Sequence, residues 1–169
     1  MAYDATLYKE TLEFKVANFK WKFTSGYETK DGKKNVLAAV CVHERITAVS
    51  EDAYQYIKQK WPHRVHDAEG YVTFAKSWGS DIRLEHPVPV EFYFQWLESD
   101  KKRLTDAFIR DFIENRCMIA LITTDQDDIL TDEGFKSAMP DGWDVEHGDL
   151  LLRYRKVGIT MHQWENADK

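Results

Sequence analysis

Three consecutive segments between residues 88 and 124 most constrain the fold of this chain. Segment 88–97 is rich in β-branched and aromatic residues, which predicts a strand. Segment 99–116 begins with a serine suited to cap a helix and carries apolar residues at helical spacing. Segment 117–124 is a nearly unbroken apolar run, typical of a strand buried on both faces. Together they predict a strand, a helix and a second strand that contribute to the core.

The N-terminal part has an alternating pattern. Apolar residues alternate with charged ones over residues 12–23, which predicts a strand. The alternation changes phase by one residue, so we expect a bulge or turn at residues 17–18 that returns apolar side chains to the core. An Asp-Gly pair at residues 31–32 then predicts a hairpin turn. Residues 35–47 are expected to form the returning strand, although their alanines also allow a helix.

Capping residues and prolines mark two further helices. Ser50 is expected to cap a helix that ends at Pro62, and Thr131 to cap a short helix that the Pro-Asp-Gly turn at residues 140–142 ends. Further strands are expected at residues 71–78, 82–84 and 150–159. These elements predict an α+β fold with a mainly antiparallel sheet and two to three helices packed on one face.

Length and composition fit one domain. The 169 residues are 43% hydrophobic, so we expect a single compact domain over residues 1–169, with residues 1–10 as an N-terminal arm and residues 160–169 as a flexible tail. The chain lacks an apolar run of the roughly 18 residues needed to span a bilayer, and it begins without a signal-peptide pattern. Cys41 and Cys117 lie in apolar runs, which predicts buried free thiols and a cytoplasmic location.

Negative charge is concentrated in residues 124–149. Nine acidic residues and a single lysine give this segment a net charge of −8, so the remainder of the chain carries +2. Carboxylates gathered on one exposed surface attract basic partners, and a tryptophan among them is a suitable anchor. The predicted binding residues are Asp125, Asp127, Asp128, Asp132, Glu133, Asp141, Trp143, Asp144 and Glu146.

The leading interpretation is therefore a non-catalytic cytosolic binding protein. It would act as an inhibitor or adaptor and present its acidic surface to a basic protein partner, such as one that handles nucleic acid. Direct binding of nucleic acid is not expected because the overall charge is −6. No cofactor is expected either, since the sequence has no glycine-rich phosphate loop. A third interpretation is an oligomeric component that makes contacts through an edge strand near Val88 and the tail at Trp164.

The alternative is a small metal-dependent or histidine-assisted hydrolase that acts on a nucleotide or nucleic acid. Histidines near a polar turn and carboxylates after a strand are the groups that general-base or metal chemistry uses. A cysteine and a histidine two residues apart on a strand share one face, as a nucleophile and its base would. The candidate residues for these roles are His63, His66, Asp125, Asp127, Cys41 and His43.

Overall fold

The fold is that of a computed structural model, which describes residues 5–25, 29–41, 45–75 and 78–163. Over these residues the chain forms seven α-helices and seven strands. The helices are α1 (Ala5–Thr24), α2 (Lys30–Val40), α3 (Glu51–Lys60), α4 (Val90–Ser99), α5 (Asp106–Asn115), α6 (Thr124–Asp132) and α7 (Leu152–Lys156). The strands are β1 (Arg45–Ile46), β2 (Ala48–Ser50), β3 (Val65–His66), β4 (Tyr71–Thr73), β5 (Ile82–Glu85), β6 (Ala120–Thr123) and β7 (Met161–Gln163). Short 3-10 turns follow α3 at Pro62–Arg64 and α4 at Lys101–Arg103.

The larger sheet has four strands in the order β5, β6, β2, β7. Its central strands β2 and β6 are parallel, with Ala48 beside Ala120 and Val49 beside Leu121. Both outer strands run antiparallel to their neighbours, and a smaller sheet in the order β1, β4, β3 is also antiparallel. The predicted mainly antiparallel sheet is therefore correct only in part. The strand predicted within residues 117–124 is confirmed as the buried central strand β6.

The larger sheet separates two groups of buried apolar side chains. Leu121 of β6 belongs to the larger group, together with buried residues of α1 to α5. Its neighbours Ala120 and Ile122 point to the other face, where they pack with Leu130 of α6 and Tyr154 of α7. Helices therefore cover both faces of the sheet, not one face as predicted, and they exceed the two to three that were expected.

Helix α1 replaces the strand predicted over residues 12–23. Its buried residues recur four, three and four positions apart, which is the spacing of one helix face. Phe14 and Trp21 lie on the opposite face and are 71% and 55% exposed. The sequence alternates because the helix carries large apolar side chains on two faces. Residues 17–18 continue the helix, so the predicted bulge does not form. The buried face consists of Leu12, Val16, Phe19 and Phe23.

Helix α2 occupies the positions of the predicted hairpin turn and returning strand. The Asp-Gly pair at residues 31–32 lies in its first turn, and residues 35–40 are helical. The alternative that the alanines allowed is therefore correct for this part of the segment, whereas Arg45–Ile46 forms β1. Leu37 and Val40 face the core. Helix α2 packs against both α1 and α4.

Segment 88–97 also forms a helix rather than a strand. Helix α4 follows Pro89, and its buried residues Tyr93, Phe94 and Leu97 share one helix face. Ser99 is the last residue of α4 rather than the cap of the next helix. Helix α5 begins later, after Thr105, whose hydroxyl accepts the backbone N–H of Phe108 at 3.2 Å.

Some predicted boundaries near the sheet are confirmed. The Ser50 hydroxyl accepts a backbone N–H of the first turn of α3 at 3.2 Å, and this helix ends just before Pro62. The strand expected at residues 82–84 is β5. The strand expected at residues 71–78 is shorter, because β4 ends at Thr73.

The C-terminal part departs further from expectation. Helix α6 begins immediately after β6, so Thr131 lies within its last turns and caps no helix. Residues 150–159 contain α7 and no strand. Residues 161–163, expected in a tail, form β7 and pair with β2.

Candidate partner-binding surface

Helix α6 is held rigidly at the end of β6. The Thr123 hydroxyl accepts the backbone N–H of Gln126 at 3.3 Å, and the Gln126 side-chain oxygen accepts the Thr123 N–H at 3.1 Å. This reciprocal pair is a capping box. Gln126 is buried, and it also accepts the Ser50 hydroxyl at 2.5 Å and donates to Asp52 at 2.9 Å. The beginning of α6 is therefore bound to the beginning of α3.

The solvent-facing side of α6 carries three carboxylates around an apolar side chain. Asp125, Asp128 and Asp132 are exposed, and Ile129 between them is 41% exposed. Their spacing of three, four and seven places them on one helix face, which we call the α6 outer face. Within the described residues, none of these aspartates forms an ion pair.

The carboxylates of the α6 outer face repel one another, although the helix dipole favours Asp125 in the first turn. Like charges three or four residues apart repel each other, as Asp125 does Asp128 and Asp128 does Asp132. Asp132 also lies in the last turn, where the helix dipole disfavours negative charge. Each repulsive pair is worth roughly 0.2–0.5 kcal/mol. Helix stability alone therefore does not explain Asp128 and Asp132.

Asp127 lies on the other side of α6 and has a different environment. Its side chain is 15% exposed and 3.6 Å from the Lys136 ammonium. Its Oδ1 atom is buried and, within the described structure, accepts no hydrogen bond. Asp127 was predicted as a partner-binding residue and as a metal ligand, but its carboxylate points toward the protein interior.

A fully buried arginine fixes the chain that follows α6. Arg153 donates to the carbonyls of Phe135 and Lys136 at 2.8 and 3.0 Å. It also donates to the Glu85 carboxylate and the His86 carbonyl, each at 2.7 Å. Burial raises the pKa of Glu85, and the neighbouring Arg153 charge opposes that rise. One side chain thus joins α7, the end of β5 and the segment after α6.

Trp143, predicted as an anchor for a partner, instead anchors its own loop. Its indole N–H donates to the Asp149 carbonyl at 2.8 Å, and its ring meets Phe92 edge-on at 5.7 Å between centroids. The Arg116 guanidinium lies 5.8 Å from the ring centroid. Arg116 also donates to the backbone carbonyls of this loop. Residues 141–149, which we call the acidic loop, are therefore tied to α4 and α5.

Most carboxylates of the acidic loop have partners within the protein. Asp144 accepts the backbone N–H groups of His147 and Glu146, both at 2.7 Å, and these bonds lower its pKa. Glu146 lies 3.3 Å from Arg103. Asp149 pairs with Arg155. In the described residues, Asp141 and the exposed Glu133 at the end of α6 are without ion pairs. The acidic segment therefore has two parts whose carboxylates have different contacts.

A cavity of about 460 Å³ lies between the acidic loop and the α4–α5 pair. The Arg103 guanidinium, at its wall, lies 4.9 Å from the Trp96 ring centroid and bonds to Glu146. Arg116 donates to the carbonyls of Val145 and Gly148 at 2.8 and 3.1 Å. Both cationic groups of the wall thus bind the protein itself.

The histidine and cysteine candidates do not form a shared centre in the described structure. His63 is exposed in a 3-10 turn, whereas His66 stacks on Tyr71 and bonds to Thr73 at 2.9 Å. Cys41 is a buried free thiol that donates to a backbone carbonyl. His43 lies outside the described residues.

No group of three or more histidine, cysteine or acidic side chains in the described ranges is arranged to hold a metal ion. The expectation of buried free thiols is confirmed for both Cys41 and Cys117. Burial raises the pKa of the Cys117 thiol, which disfavours the nucleophilic thiolate. The hydrolase alternative remains a prediction with no geometric support from these residues.

Across the ranges that the structure describes, no helix combines the length and apolarity needed to cross a membrane. Comparison of this chain with protein-family models, with curated proteins and with solved structures finds no match.

Proposed function

We propose that this chain is a non-catalytic binding protein, an inhibitor or adaptor, that docks a basic protein partner on the α6 outer face. The observation that carries the proposal is the set of exposed carboxylates at Asp125, Asp128 and Asp132, which repel one another and form no ion pair with any described residue. A partner with lysine or arginine side chains would neutralise them and relieve their mutual repulsion. Their energetic cost is then recovered in the complex.

The geometry of the α6 outer face also supports specificity. Ile129 lies among the three aspartates and provides apolar contact area at the centre of a polar rim, as binding surfaces commonly do. The capping box and the buried contacts of Gln126 hold the helix in place before a partner arrives. Little ordering is therefore required on binding, which favours affinity. The residues proposed for contact are fewer than the nine predicted from sequence.

The test compares two triple variants that change the net charge equally. In the first, Asp125, Asp128 and Asp132 are changed to Asn. In the second, three exposed acids elsewhere are changed: Asp31→Asn, Glu69→Gln and Glu114→Gln. Both are titrated into a fluorescein-labelled peptide of alternating lysine and leucine residues at several salt concentrations. Affinity and its salt dependence are measured by fluorescence anisotropy.

We expect the first variant to bind at least tenfold more weakly and with a smaller salt slope, while the control retains wild-type affinity. Equal losses in the two variants would mean that only net charge matters, and the proposed surface would be wrong. Affinity capture from the native host with the same three proteins then identifies the partner, which is retained by wild type and control but lost by the first variant.

A further inference from the structure

The two cysteines of this chain lie side by side inside the protein. Cys41 follows directly after α2, and Cys117 lies between α5 and β6. They are 2% and 4% exposed and belong to the same group of buried side chains. The Cys117 thiol forms a hydrogen bond with the Cys41 side chain, and the Cys41 thiol donates to the Leu37 carbonyl at 3.2 Å. Two residues far apart in the sequence therefore bring their sulfur atoms into contact.

Hydrogen bonds to the backbone fix the position of each cysteine. The Cys117 N–H donates to the Phe112 carbonyl at 3.0 Å, and the carbonyl of the preceding Arg116 accepts the Tyr93 hydroxyl at 2.9 Å. Cys41 is held by its bond to the last turn of α2. A disulfide requires two cysteine side chains that point toward each other, and this pair meets that condition.

A lysine side chain lies near both sulfur atoms. Lys15 of α1 is partly buried, and its ammonium interacts electrostatically with Cys117 and with Cys41. Burial and the bond to Cys41 raise the pKa of Cys117, and the Lys15 charge opposes that rise. A positive charge near a thiol favours the thiolate, which is the reactive form. Burial therefore slows the reaction of this pair, and Lys15 partly offsets the effect.

We propose that Cys41 and Cys117 are a reversible oxidation site, which a peroxide converts into an internal disulfide. One thiolate attacks the peroxide and breaks its O–O bond, which gives a sulfenic acid and a hydroxide ion. The second thiol then attacks the sulfenic sulfur atom, and the proton that it loses leaves with the displaced hydroxide as water. In total, two thiols and one hydrogen peroxide give one disulfide and two water molecules.

Contact between the thiols favours a disulfide over other products of oxidation. A sulfenic acid at either position meets the second thiol at once, before another peroxide molecule converts it into a sulfinic acid. The chain contains two cysteines, so no other internal disulfide competes. Both side chains are buried, which keeps bulky thiol compounds away from the sulfenic acid.

The disulfide would join the end of α2 to the segment between α5 and β6. It would close a loop of roughly 75 residues, which contains α3, α4 and α5. Closing a long loop lowers the entropy of the unfolded chain and so stabilises the folded state. The midpoint of thermal unfolding should rise by about 5–15 °C. Oxidation would therefore strengthen the fold.

The test treats the purified, reduced full chain with hydrogen peroxide. Samples are then denatured, and free thiols are labelled with N-ethylmaleimide and counted by mass spectrometry. We expect two labelled thiols before oxidation, none after it, and two again after treatment with dithiothreitol. A cross-linked peptide should contain Cys41 and Cys117, and the thermal midpoint should rise. Free thiols that persist, sulfinic or sulfonic acids in place of the disulfide, or a disulfide between two copies would overturn the proposal.

Cys41→Ala and Cys117→Ala test whether the two residues react together. Peroxide should not raise the thermal midpoint of either variant, and dimedone should trap the remaining cysteine as a sulfenic acid. A rise similar to that of wild type in either variant would contradict an internal disulfide. None of these outcomes depends on the α6 outer face, so the two proposals fail independently.

Lys15→Met and Lys20→Met distinguish the effect of Lys15 from a general loss of charge on α1. Lys20 lies on the same helix but pairs with Asp106 at the surface. Lys15→Met should slow disulfide formation at least threefold at neutral pH, and the difference should shrink at high pH, where thiols ionise without help. Lys20→Met should react as wild type does, and circular dichroism checks the folding of both. Equal rates in the two variants would contradict the role of Lys15.

Discussion

Helix α6 and the acidic loop each carry four acidic residues, but the carboxylates have different surroundings. On α6, Asp125, Asp128 and Asp132 face solvent without ion pairs among the described residues. In the acidic loop, Asp144 and Asp149 accept hydrogen bonds that shape the loop itself. Local negative charge in a sequence therefore does not measure the charge that a surface offers to a partner. The contacts of each carboxylate decide whether it holds the fold or remains exposed.

The largest effect is expected at the junction between these two regions. Arg153→Met would remove the hydrogen bonds to the Phe135 and Lys136 carbonyls and leave the partly buried Glu85 without its cation. Loss of one partner of a buried ion pair costs about 3–5 kcal/mol, which urea unfolding measures. Arg155→Met, on the same helix but half-exposed, should cost less than about 1 kcal/mol. Equal costs would contradict the assigned role of the buried guanidinium.

A second comparison uses one apolar residue from each region. Trp143→Ala should lower the free energy of unfolding by about 3 kcal/mol, because it removes a packed ring and the bond to the Asp149 carbonyl. Ile129→Ala, on the α6 outer face, should change it by less than about 0.5 kcal/mol. Hydrogen exchange should increase in the acidic loop of the first variant only. A similar cost at Ile129 would mean that the α6 outer face is structural.

The smallest effect concerns pH. Backbone N–H groups of His147 and Glu146 lower the pKa of Asp144, so its ionised form stabilises the folded state. That contribution is complete above the ordinary aspartate pKa and is lost as pH falls through the lower folded-state pKa. Asp144→Asn should therefore lower the free energy of unfolding at neutral pH. In acid, the variant and wild type should have the same free energy of unfolding. Thermal unfolding of both proteins over a range of pH tests this, and a constant difference across that range would contradict it.

Sequence rules succeeded for a helix with clear signals at both ends and for a strand buried on both faces. Helix α3 has Ser50 as its cap and a proline after its end, and β6 is a continuous apolar run. The rules failed at α1 because Phe14 and Trp21 add a second apolar face, and two faces of a helix together imitate the alternation of a strand. At α4, aromatic residues with high strand propensity form a helix because tertiary packing outweighs that preference.

The candidate surface was only partly accessible to sequence reasoning. The net charge of residues 124–149 predicted an acidic surface. Net charge could not distinguish the exposed Asp128 from Asp127, whose carboxylate faces inward. One signal that the sequence does contain is the Thr123-x-x-Gln126 capping box. It fixes the residue at which α6 begins and therefore which residues lie on its exposed face. The role of Arg153 had no local signal, because its partners are brought together only by the folded chain.

The pairing of β2 with two later strands has a consequence for folding during synthesis. One neighbour of β2 is β6, and the other is β7, which pairs Ser50 with Met161. As the polypeptide leaves the ribosome, one side of β2 has no strand to pair with until residues 161–163 emerge. Nascent chains stalled before that point would expose unsatisfied backbone groups of β2 and would be natural clients for chaperones.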